Sequence, residues 1–298
     1  MSTFLVILAG ISWGFLGVFL RQISFAKVTA FEVCTIRAIG TALVLGLILA
    51  IWRPQLLRIR WRDLWCFIGG GCVSIFLFNF CYFLTLQRTS IGVAVILLYT
   101  SPVFVALLAR IFFREPLTRQ KILAILMVMV GCILVSGVCG GQQTLTATGI
   151  FTGLSSGFCY ALYSIFGRCA QQRGYSPPTI TFWNFACSAL ASCAFPRWEF
   201  LVQTYTQQPS IWLWTALLVG VSTILPYCCY TAGLARMEAS RAAVLVAIEP
   251  VVGAIAGIII YHERLSLATL CGSAFVLGAL FLQQIKRQCP EEEMQIRK

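Results

Sequence analysis

The stretch YFLTLQRTSIGVAVILLYTSPVFVALLARIFFREPL, Tyr82–Leu117, has a counterpart 148 residues further on in YTAGLARMEASRAAVLVAIEPVVGAIAGIIIYHERL, Tyr230–Leu265. Laid over one another without a gap, the two share Tyr82/Tyr230, Leu86/Leu234, Arg88/Arg236, Ala94/Ala242, Leu97/Leu245, Pro102/Pro250, Val103/Val251, Ala106/Ala254, Ile111/Ile259, Glu115/Glu263 and Leu117/Leu265. Both copies lie in long apolar segments, so the chain reads as a duplicated membrane unit.

Composition agrees. Hydrophobic residues make up 59% of the 298 and charged residues only 11%, against about 25% charged in a soluble domain. A helix needs roughly 20 mostly apolar residues to cross the hydrocarbon core. Ten segments are expected to do so: Phe4–Leu20, Phe31–Trp52, Leu64–Leu86, Gly92–Phe113, Gln120–Val138, Gly149–Cys169, Thr179–Pro196, Ile211–Leu234, Ala242–Tyr261 and Ala268–Ile285. The first lacks a basic leader and is followed by Arg21-Gln22 rather than a cleavage site, so it reads as a retained span. Short connections leave no room for a soluble domain.

The net charge of +12 is distributed by side rather than gathered for nucleic acid. With the N-terminus in the cytoplasm, sixteen of the 22 Lys and Arg fall on the inner side and five on the outer, with Arg37 inside a span. That bias predicts a multi-pass protein of the cell membrane with both termini cytoplasmic. Trp52, Trp61 and Trp65, and Trp198, Trp212 and Trp214, flank two connections as headgroup-level aromatics do. The 14 cysteines sit mostly within apolar spans without metal-ligand spacing, and His262 is the single histidine. They read as packing residues, and no metal or other cofactor is expected.

Ten spans divide into five and five: residues 1–139, a linker at 140–148, residues 149–286 and a cytoplasmic tail at 287–298. An odd number of spans per unit makes the second unit enter from the opposite side, so two inverted five-helix repeats are expected. Gly10-Ile-Ser-Trp-Gly14-Phe15 resembles Gly153-Leu-Ser-Ser-Gly157-Phe158 at the start of the second unit. These are G-x-x-x-G patterns, with Gly253 and Gly257 a third, and small residues at that spacing let helices approach closely in lipid.

The run Pro102…Glu115-Pro-Leu-Thr118, the run Glu249-Pro250…Glu263-Arg-Leu-Ser266, and Arg37 early in the second span carry a resemblance over nearly the whole chain. The chain resembles an EamA-type member of the drug/metabolite transporter superfamily. The resemblance implies an all-α membrane protein of ten helices that moves metabolites across a cell membrane, most often outward, and it is silent on the substrate.

Within spans, several residues are candidates for the work. Pro102 and Pro250 are expected to kink spans four and nine, freeing the carbonyls of Leu98 and Val246. Glu249 is the sharpest candidate, because a carboxylate inside a span is costly and must face the bundle interior or water; it could bind an amine or exchange a proton. Arg37 could grip a carboxylate bidentately, although Glu32, one turn earlier, is a possible local partner. Trp13, Asn79, Tyr82, Tyr99, Ser101, Ser156, Tyr160, Tyr163, Tyr227 and Tyr230 supply the aromatic and polar wall of a small-molecule pocket. Thr118 and Ser266 are placed to cap spans five and ten, and Glu115 and Glu263 to accept from the N–H groups of the helix that follows each.

The leading expectation is a secondary or facilitative exporter of a small amphipathic metabolite such as an amino acid, its halves rocking about a shared cavity. Its partners would be that substrate, the bilayer and, as coupling ion, protons; the oligomeric state is open. Multidrug or cation efflux is an alternative. Nucleotide-sugar exchange would want more than the single interior cation, Arg37. An intramembrane enzyme would need a His, Asp or Glu cluster the sequence does not offer.

Overall fold

A computed structural model describes residues 2–136, 146–262 and 266–284. The expectations for Glu263, most of the linker and the C-terminal tail lie outside the described residues. Among the described residues the chain is helical, without strands.

The helices are α1 (Ser2–Ser24), α2 (Ala30–Trp52), α3 (Trp61–Leu86), α4 (Ile91–Phe113), α5 (Arg119–Val135), α6 (Ala147–Gln172), α7 (Pro177–Ser192), α8 (Trp198–Gln207), α9 (Ser210–Leu234), α10 (Ala239–Tyr261) and α11 (Leu267–Gln284). Eight of them are long and apolar enough to cross a membrane. The helices α5 and α7, expected as spans, have 17 and 16 residues. At 1.5 Å per residue they reach about 25 Å, somewhat short of a hydrocarbon core of about 30 Å. Helix α8 was not anticipated, since ten residues cannot span and its aromatics read as interfacial. It buries Leu201, Thr204 and Tyr205, and the Tyr205 and Thr215 hydroxyls lie 2.7 Å apart.

Side-chain caps set many helix starts. Thr29 and Glu32 form a capping box on α2, in which each satisfies a donor of the other's backbone. The Thr118 hydroxyl accepts from Lys121 N at 3.3 Å, and that of Ser266 from Thr269 N at 3.0 Å, both as expected.

The prolines do more than kink. Helix α4 is interrupted at Tyr99 and Thr100 and α10 at Ala247 and Ile248, and Pro102 and Pro250 each occupy the first turn of the segment that follows. There a missing N–H costs nothing, because that donor has no partner within a helix anyway. The matched segments also end alike: Arg114 and His262, again 148 residues apart, both take the left-handed conformation at φ 56° and 53°. The π-helical stretches Gly69–Leu77 in α3 and Gly220–Ile224 in α9 overlap at the same offset, the shorter falling within the longer.

Packing is reciprocal. Helix α1 lies against α9 and α10, while its counterpart α6 lies against α3 and α4; α2 pairs with α7, α4 with α10, and α5 with α11. Glycines allow the closest crossings. A Cβ on Gly10 would stand 2.6 Å from Ile248 and 2.9 Å from the Val246 carbonyl. One on Gly157 would stand 2.8 Å from the Leu97 carbonyl and 3.2 Å from that of Leu98. The G-x-x-x-G seams of α1 and α6 thus cover the helix breaks of the opposite half, and the two carbonyls freed by the prolines meet glycine backbone there.

Candidate functional site

Where α1, α2, α3, α4, α6, α9 and α10 converge, they enclose a cavity of about 330 Å³. Nine of the twelve side chains singled out in the sequence line it: Trp13 from α1, Arg37 from α2, Asn79 and Tyr82 from α3, Tyr99 and Ser101 from α4, Tyr160 from α6, Tyr227 from α9 and Glu249 from α10. Pro250 lines it too. Tyr163 and Tyr230 do not; they pack behind the lining rings of Tyr227 and Trp13. The Tyr163 hydroxyl lies 3.0 Å from that of Thr231, and Tyr230's lies 2.7 Å from that of Ser164. Trp13, Tyr163 and Tyr227 meet edge to face at centroid distances of 5.0 Å, a preferred geometry for aromatic pairs. Ser156 is buried on α6 and donates back to Gly153 O.

The two charges of the cavity come from different halves. Glu249 follows directly on the break in α10, and Tyr99, at the break in α4, shares the cavity wall with it. Arg37 is 5% exposed, and among the described residues its Nε has no hydrogen-bond partner. The local pairing of Arg37 with Glu32 does not occur. Instead Glu32 accepts from Arg197, Nε to Oε1 at 2.8 Å and Nη2 to Oε2 at 2.9 Å. That hydrogen bonding holds the Arg197 guanidinium above its ordinary range. Sequence distance misled here: a side chain one turn away is near, but Glu32 was already committed to capping α2 and to a residue 165 positions on.

Sequence reasoning missed Cys34, Phe78, Leu20 and Gly17, which also line the cavity. Cys34 donates to Asn79 Oδ1 at 3.0 Å. Around Gly17 a Cβ would meet nothing within 4 Å, so this glycine leaves space rather than making a contact. Only its place one turn beyond Gly14 hinted at the cavity.

The cavity reaches exposed Ala30, at the start of α2, and so opens at one end of the bundle. The opposite end is tied shut. Glu115, just past α4, is 4% exposed and was expected to accept from α5. It reaches across to α10 instead: Ala239 N donates to Oε1 at 2.7 Å, and Ser240 N and Oγ donate to Oε2 at 3.2 and 2.6 Å. Arg168 of α6 completes the cluster with an ion pair to Oε1, and Lys121 pairs with Glu238 at 2.8 Å beside it. A carboxylate at the N-terminus of α10 is favoured by the helix dipole and takes up donors that would otherwise be orphaned.

Comparison with known proteins agrees with this architecture. A family profile described as the EamA-like transporter family matches residues 1–137 and 147–283. The chain belongs to the EamA-like transporter family. This places it in the drug/metabolite transporter superfamily as a multi-pass membrane protein. It is similar to an uncharacterized transporter of Archaeoglobus fulgidus, 29% identical over 77% of this chain and 81% of that one. It is also similar to the threonine/homoserine exporter RhtA of Escherichia coli K12, 25% identical over 82% and 79%. A solved crystal structure superposes with a TM-score of 0.78 at 17% identity, covering 95% of this chain and 96% of the other, which is a likeness of fold alone.

Proposed function

We propose that this EamA-like protein exports a small zwitterionic metabolite of the amino-acid class by alternating access of two inverted five-helix repeats. One observation carries the reading: a buried guanidinium with an unsatisfied Nε, Arg37, and a carboxylate, Glu249, come from opposite halves to face one aromatic-walled cavity. An α-carboxylate suits Arg37, which binds carboxylates in a planar fork. An ammonium suits Glu249, with Tyr99 in the same wall, and Glu249 is also the group at which a coupling proton would exchange. A cavity of about 330 Å³ is at the lower end of small-molecule pockets, which favours compact solutes over nucleotide sugars. That RhtA is named a threonine/homoserine exporter points the same way.

Contacts between chain-distant helix ends support the inversion, with α5 and α7 counted as spans. Tyr261 reaches Val18 O and Arg197 reaches Glu32 at the open end; Thr179 reaches Leu56 O and Ala239 reaches Glu115 at the other. With both termini cytoplasmic, as the positive-inside bias suggests, the cavity faces outward and the Glu115 cluster closes the inner side. Multidrug or cation efflux remains the second reading, favoured by the aromatic wall and opposed by Arg37.

Thermal-shift titration of the purified protein with amino acids, organic cations and nucleotides tests this, followed by counterflow in vesicles. Amino acids should stabilise the wild type and exchange. Stabilisation by cations alone, undiminished in Arg37→Ala, refutes the zwitterion reading.

A further inference from the structure

At the closed end of the bundle, the α2–α3 connection and the α6–α7 connection enclose a second cleft, of about 350 Å³, that shares no lining residue with the central cavity. Three arginines line it, Arg58, Arg60 and Arg173, alongside Tyr175, Ser176 and Thr179. The neighbouring acid is already taken: Arg173 Nε lies 2.9 Å from Asp63 Oδ1, and Tyr175 Oη donates to Asp63 Oδ2 at 2.8 Å. Arg58 and Arg60 are exposed and have no ion pair among the described residues.

The cleft is held in shape by bonds between the two halves. Arg60 N donates to Tyr175 Oη at 2.9 Å, Thr179 Oγ1 to Leu56 O at 2.8 Å, and Trp183 Nε1 to Leu57 O at 3.1 Å. The Arg173 guanidinium sits 4.8 Å over the Trp65 ring. Trp52, Trp61 and Trp65 flank the same connection with 78, 88 and 46% of their surface exposed. Indoles concentrate at headgroup depth, and the cleft lies among the ends of the membrane helices α2, α3 and α6.

We propose that this cleft binds the phosphate of an anionic phospholipid headgroup, with Arg58 and Arg60 as its ligands and Arg173 positioned by Asp63 as the third cation. Guanidinium groups match phosphate oxygens bidentately, and basic clusters just beyond a membrane helix attract anionic lipid. The tryptophan collar favours a lipid over a soluble phosphate. Because the walls belong to both halves, a bound headgroup would brace them against each other.

The test uses the full chain in nanodiscs of phosphatidylcholine, with and without phosphatidylglycerol, read by thermal unfolding and by native mass spectrometry of retained lipid. Phosphatidylglycerol should raise the unfolding temperature of the wild type and stay bound. Arg58→Gln/Arg60→Gln should lose most of that rise and retain the lipid roughly 30-fold less well. Arg110→Gln/Arg119→Gln, equal in charge but outside the cleft, should behave as wild type. Three results overturn the proposal: no difference between the lipids, an equal loss in the control variant, or the same rise from soluble glycerophosphate, which would make the occupant a solute. These readouts do not involve the transport substrate, so the outcome is separate from that of the zwitterion reading.

Discussion

Glu115→Ala should loosen the closed end of the bundle and reduce access to the cavity from its open end. The substitution removes the acceptor of Ala239 N, Ser240 N and Ser240 Oγ and the anion facing Arg168. Each buried donor left without a partner costs about 1–3 kcal/mol. Two backbone donors alone therefore penalise the closed arrangement by about 2 kcal/mol at the least. In an arrangement open at that end, water satisfies the same groups and the penalty disappears. A 2 kcal/mol bias is roughly a 30-fold change in equilibrium constant. If the arrangement described here dominates by about 10:1, it falls to about 1:3, and its population drops between three- and four-fold by the same relation. The native thiol of Cys34 lines the cavity and reports this directly. In a background of Cys193→Ser and Cys271→Ser, which removes two exposed thiols, its modification by a membrane-impermeant thiosulfonate from the open side should slow by that factor. Ser240→Ala, which loses only the 2.6 Å bond, should give a smaller change in the same direction. An unaltered Cys34 rate in folded Glu115→Ala would refute the lock.

Arg37→Ala should weaken binding of a zwitterionic ligand by roughly 10- to 100-fold, since a charge-assisted hydrogen bond is worth about 1.5–3 kcal/mol; thermal-shift titration measures it, and an unchanged affinity removes Arg37 from the site. Gly17→Phe should fill open space at the cavity wall, abolishing transport while the unfolding temperature stays near wild type. Gly14→Ala should do the reverse of that pattern, lowering stability first, because its Cβ would stand 2.5 Å from Val252 Cβ. Arg197→Ala should lower the unfolding temperature in detergent, because it leaves the Glu32 carboxylate, 4% exposed, with only its bonds to Thr29 and to the backbone N–H at position 197; an unchanged transition would show that the pair contributes nothing to stability.

Much of the wall was legible because two kinds of signal survive in a membrane sequence. A polar or charged side chain inside a span must face protein or water, which drew attention to Arg37, Asn79 and Glu249. A repeat carries backbone events with it, so Pro102 and Pro250 announced matching breaks. The left-handed pair Arg114 and His262 was not legible, since neither residue type demands positive φ. Tyr163 and Tyr230 were grouped with the wall because spacing assigns them a helix face, but not the neighbour that face meets. In lipid the helix exterior is as apolar as the core, so periodicity cannot sort lining from packing as it does in water.

By itself the amino-acid sequence determined that the chain is a duplicated, helical membrane protein, because composition and repeat are properties of order along the chain. Only the tertiary structure decided that Arg37 Nε has no hydrogen-bond partner among the described residues while Glu32 is engaged by Arg197, that Glu115 serves α10 rather than α5, and that Gly17 holds a space open. Those outcomes rest on distances between residues more than a hundred positions apart, or on the emptiness beside a glycine, and packing in three dimensions sets both.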